Sequence, residues 1–188
     1  MQEGWRADMR LFTLALGLSI VACSIAFAAD RSERKMEWSA QNDSQLCQLV
    51  HDQSALVGDR GYEALRLTVR FERMKESAPP VLWAMIGIIQ SPPRSLKTVR
   101  FASRSGNEIY AGPARGNAND VLSSAVIPGA KVEALLGQLS AGRALSVTAQ
   151  WKDAPASSFT IETRGFAEQH GAFSKCAAEM SAGPLRGF

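Results

Sequence analysis

The stretch LSVTAQWKDAPASSFTIETRGFAEQHGAFSKCAAEM, residues 145–180, decides the fold. Leu145, Val147, Ala149 and Trp151 fall on one side of an extended chain and Ser146, Thr148 and Gln150 on the other. That is the period-two pattern of a strand with one buried face. Lys152 to Ser157 turns the chain, Phe159 and Ile161 continue the inward face of a second strand, and Gly165 breaks it. The period then changes. Phe166, His170, Phe173, Ala177 and Met180 recur on one face of a helix, with Cys176 at the border of that face. Burying two phenylalanines and a methionine contributes about 1.5–3 kcal/mol each, so this helix needs a sheet beneath it.

Upstream, Pro128-Gly129 opens another helix, in which Val132, Leu135, Leu136 and Leu139 make one apolar stripe and Gly142 stands where a left-handed C-terminal residue is wanted. Over Asp120 to Ile127, Val121, Leu122, Val126 and Ile127 fit either a strand or an irregular buried segment, and the strand is the preferred reading. Leu65, Leu67, Val69 and Phe71 alternate with Arg66, Thr68, Arg70 and Glu72, the cleanest antiparallel pattern, whose polar face can sit in water. Val81 to Ile89 is apolar on both faces between Pro79-Pro80 and Pro92-Pro93, which predicts a central strand with Trp83 as core filling. Leu46 to His51 is a further strand, with Cys47, Leu49 and His51 on one face, and structure is expected to start at Met36 or Trp38. Val99 and Phe101 lead through Ser103–Asn107 to Glu108–Tyr110 as a hairpin, while Gly58 and Gly61 bracket a turn and Gly112–Asn119 is a loop. The expected architecture is α+β, mainly an antiparallel β-sheet or partly closed barrel with two packed helices and one disulfide. It spans residues 36–181 as a single domain, with a tail at 182–188.

A chain of 188 residues with 46% hydrophobic and 21% charged residues suits one globular domain and argues against disorder. The net charge of +3 is mild and its basic residues are spread, so no nucleic-acid partner is expected. At the N-terminus, Arg6 and Arg10 precede an uncharged run from Leu11 to Ala29, and Ala26-Phe27-Ala28 forms a small-x-small triplet before Asp30. These are the parts of a cleaved secretory signal peptide, residues 1–28, followed by a charged linker, 29–35. A retained anchor is the competing reading, since the run approaches the roughly 20 residues needed to span a bilayer. Ile20-Val21-Ala22-Cys23 also resembles a bacterial lipobox, which would make Cys23 a lipidation site, although Ser24 to Ala29 stays apolar. Contact with a membrane is expected only through one of those two routes. Cleavage after Ala28 leaves Cys47 and Cys176, an even pair in an oxidising compartment, which reads as one disulfide.

Catalytic chemistry is hard to find. The only histidines are His51 and His170, no Gly-x-Ser-x-Gly occurs, and adjacent strand positions point His51 and Asp52 to opposite faces. Cys-x-x-Cys, His-x-x-x-His, an acidic calcium loop and a Gly-Lys-Ser/Thr phosphate loop are also missing, so no metal or cofactor is expected. Arg94, Lys97, Arg100 and Arg104 run without an acidic residue until Glu108. They suit an anionic envelope polymer or, as the plainer reading, a charged edge strand that discourages sheet-to-sheet pairing.

The order of features resembles the N-terminal domain of the flagellar stator-ring protein family MotY. Trp38 precedes the Cys47-Gln48-Leu49 strand and the Gly58 turn, and a Leu-Leu-x-x-Leu helix at Leu135–Leu139, a strand pair and Phe173 to Cys176 close the chain. The resemblance implies a β-rich domain with flanking helices, a Cys47–Cys176 disulfide and docking to other envelope proteins. The peptidoglycan-binding domain that follows in that family has no counterpart here. Leu135-Leu136 through Arg164-Gly165-Phe166 is also similar to invasion-associated locus B proteins, which are exported and β-rich. The expected function is that of a periplasmic, non-enzymatic protein that binds or scaffolds envelope proteins. The alternatives are a module for an anionic polymer, a lipoprotein anchored through Cys23, or a hydrolase with an unrecognised site.

Overall fold

The computed structural model describes residues 36–43, 45–57, 61–75, 78–115 and 121–182. Within them the chain runs β1 (Met36–Asn42), β2 (Leu46–Val57), β3 (Gly61–Glu72), β4 (Val81–Ser91), β5 (Leu96–Ser103), β6 (Glu108–Pro113), β7 (Leu122–Pro128), α1 (Gly129–Ser140), β8 (Leu145–Trp151), β9 (Ser157–Ile161) and α2 (Phe166–Ala182). The expected signal peptide, linker and Cys23 lie outside the described residues, as do Gly58 and most of the tail. Helix α2 takes Ala182 from that tail.

Every strand pairing is antiparallel. The strands form a five-stranded sheet, β1-β2-β3-β4-β7, and a four-stranded sheet, β6-β5-β8-β9. Alternation decides what each strand buries. Leu49, Leu67, Ile86 and Ile127 from the first sheet, and Val99, Phe101, Val147, Trp151 and Phe159 from the second, enter one shared core. Closure into a barrel does not occur. Among the described residues the sheets are joined edge to edge where β6 meets β7, through reciprocal bonds between the main chains of Arg115 and Ser124 (2.7 and 2.8 Å) and from the Tyr110 hydroxyl to the Val126 carbonyl (2.9 Å). Gly112 belongs to β6 rather than to a loop, and the Tyr110 ring lies across the space a β-carbon there would need.

The helices fill the remaining openings. In α1, Val132, Leu135 and Leu139 are buried, and the helix ends in paired bonds from Gly142 N–H to the Leu139 carbonyl and from Arg143 N–H to the Gln138 carbonyl. Gly142 has φ +72°, the conformation this ending demands. Helix α2 lies along β1 and buries Phe166 and Phe173. Its Gln169 accepts from the Ala40 N–H (3.0 Å), the Trp38 indole donates to the Glu162 carbonyl (2.9 Å), and Cys176 is joined to Cys47.

Three expectations are corrected. β5 is an interior strand, flanked by β6 and β8, so its basic residues do not guard an edge. β4 is central but buries one face only: Leu82, Ala84, Ile86 and Ile88 point in, whereas Val81 and Ile89 are exposed and Trp83 and Met85 are half-buried. Trp83 therefore sits outside the core, its indole donating to Glu72 (2.8 Å) beneath the Arg70 guanidinium. The third concerns β3, where Arg66 is exposed but Thr68, on the same polar face, is buried between Val50 and Met85.

Candidate functional site

Register shows what the outer side of the five-stranded sheet presents. Inward residues such as Leu67, Ile86 and Ala125 share one row, so their neighbours Thr68, Met85 and Val126 share the next row on the opposite side. By the same parity Tyr62, Val81, Ile89 and Leu122 face outward. Of these, Tyr62, Val81, Ile89, Leu122 and Val126 are exposed, the last two at 50% and 56%. Gly87, between Met85 and Ile89, leaves the surface flat, and the Leu122 side chain lies over it. The rim is charged but internally paired: Arg66 makes a two-pronged bond to Asp52 across β2 and β3 (2.6 and 2.9 Å). An apolar patch of this kind, flat and bordered by satisfied charges, is characteristic of a surface that meets another protein.

The basic residues do not converge. Arg94 precedes β5 and Arg104 follows it, so the strand's eight residues separate them by roughly 26 Å at strand spacing. Arg100 is bound to Glu108 at 2.8 Å, and Lys97 stands where the β5–β8 register shifts. Arg94 instead lines a small surface pocket with Ser95 and Asp153.

Among the described residues the histidines lie apart, one on β2 and the other on α2. His51 is buried beneath Trp38, ring centroids 4.6 Å apart, and neither ring nitrogen meets a hydrogen-bond partner. Desolvation lowers its pKa to about 4, against weaker upward pulls from Asp52 and Gln53. His170 stacks on Phe166 and has its pKa lowered by burial, and its Nε2 is 3.5 Å from the Ser174 hydroxyl one helical turn on. Cys47 and Cys176, the other candidate nucleophiles, are consumed by their mutual bond. Among the described residues no group of three or more His, Cys, Asp or Glu is placed to hold a metal ion, and no helix is long and apolar enough to cross a membrane.

No family model and no curated protein matches this sequence. The site therefore has to be read from its own geometry, and two features had no clear signal in the sequence. The outward Leu122, Val126 and Ile89 looked like ordinary strand residues, because alternation names two faces without saying which is covered. The second is a part-buried polar line between the sheets: Trp151 Nε1 donates to Ser157 Oγ (2.9 Å), which donates to Glu63 Oε1 (2.8 Å). Such a network fixes the register of the two sheets at that end.

Proposed function

We propose that this chain is an exported envelope protein that binds or scaffolds another protein through the outer face of its five-stranded sheet. The observation that carries the reading is the exposed apolar patch around Leu122, Val126 and Ile89. Burying a leucine and a valine side chain on a partner contributes about 1.5–3 kcal/mol each before the costs of association. The Cys47–Cys176 disulfide supports an oxidising compartment, as does the signal-like pattern of Leu11 to Ala28. The resemblance to the stator-ring family's N-terminal domain points toward the same class of partner, an envelope protein.

The test is crosslinking in the periplasm followed by capture of the chain, comparing the native protein with Leu122→Glu/Val126→Glu. Both side chains are exposed, so the variant should keep its melting temperature. The expected outcome is a protein adduct that the double variant loses. Recovery of no adduct, or of the same adduct from the variant, would remove this reading.

A further inference from the structure

An edge strand carries a row of unpaired N–H and C=O groups, and folds either cover that row or leave it for a partner. Among the described residues three of the four sheet edges have a neighbouring element. Helix α2 lies along β1 and takes the Ala40 N–H through Gln169, and just past β6 the Arg115 main chain bonds Ser124 of β7, with the Tyr110 hydroxyl on the Val126 carbonyl. The fourth is different. β9 pairs with β8 on one side, and among the described residues no other element bonds to the main chain of Ser157–Ile161. Apart from its shortness it lacks the usual defences, having no proline, no charge and no register shift. Phe159 and Ile161 are buried and hold the strand down, while Ser158 and Thr160 face water.

We infer that β9 accepts an extended segment of another protein as a fifth strand of the four-stranded sheet. Five residues of main chain offer far less than the roughly 800 Å² per side that holds two folded domains together. A single extended segment draws its binding from main-chain hydrogen bonds, which is what this edge supplies. Its side chains must alternate, apolar on the side shared with Phe159 and Ile161 and polar or β-branched on the side shared with Ser158 and Thr160. This surface is separate from the outer face of the five-stranded sheet, and either proposal can fail without the other.

The test uses amide NMR of the purified, disulfide-intact protein with a capped synthetic peptide copying the five residues of β9. Two control peptides carry N-methyl groups on alternate residues, one set on each edge. The expected result is saturable shifts confined to Ser157–Ile161, with one N-methylated peptide binding like the parent and the other at least about tenfold more weakly. Absence of shifts at β9 at millimolar peptide, or equal binding by all three peptides, would overturn the inference. So would concentration-dependent shifts at β9 without peptide, since a second copy would then be the occupant.

Discussion

His51 stands on the inward face of β2, two register steps from the disulfide cysteine Cys47, with Trp38 against its ring and no hydrogen-bond partner for either nitrogen. Its folded pKa of about 4 lies below the ordinary 6.5, so the folded state binds fewer protons than the unfolded chain. The contribution is fully present above pH 6.5, declines as the pH falls, and is lost by about pH 4, where it amounts to about 3 kcal/mol. Urea unfolding of the native protein and of His51→Leu at pH 7 and pH 4.5 checks this: the variant should lose less stability on acidification. Equal losses would mean that carboxylates alone set the acid sensitivity. The alternation of Cys47, Leu49 and His51 was enough to place the imidazole on a buried face. Its lack of a partner was not legible, because that depends on Trp38, its register partner across β1 and β2, closing over the ring.

Helix α1 rests its first residue on a backbone. A β-carbon at Gly129 would come within 2.6 Å of the Leu82 carbonyl oxygen, which cannot swing aside. Gly129→Ala should therefore destabilise the fold by about 1–3 kcal/mol. Gly137→Ala, in the same helix with open space around it, should stabilise by about 0.5–1 kcal/mol. Opposite shifts in melting temperature would confirm the pair, and parallel shifts would show that α1 is free to move off β4. Elements of this size were the most legible part of the sequence, since most of the strands and both helices announce their own period. Their neighbours were not. The apolar run of β4 read as buried on both sides because periodicity reports hydrophobicity and not cover, and β5 read as an edge because sheet order is set by pairings far apart in the chain.

At the scale of the molecule, the Cys47–Cys176 bond closes a span of 129 residues, which restricts the unfolded chain by about 5 kcal/mol in the chain-entropy treatment. Cys176→Ser, or reduction, should lower the melting temperature by several degrees and expose Phe166 and Phe173 to an apolar dye. An unchanged transition would mean that packing alone holds α2. The α+β class and this bond were both readable from residue patterns, while the choice between a barrel and two sheets was not, because it turns on how β6 meets β7. That contact also gives any opening a direction. Tyr110 and the Arg115–Ser124 pair hold the two sheets together along one side, whereas the disulfide holds α2 against β2 of the five-stranded sheet. Breaking the disulfide frees α2 from the sheet it covers, so in deuterated water the amides of α2 and β1 should exchange early and those of β7 late. Loss of protection thus starts at the helix that the disulfide holds and reaches the Tyr110 side last.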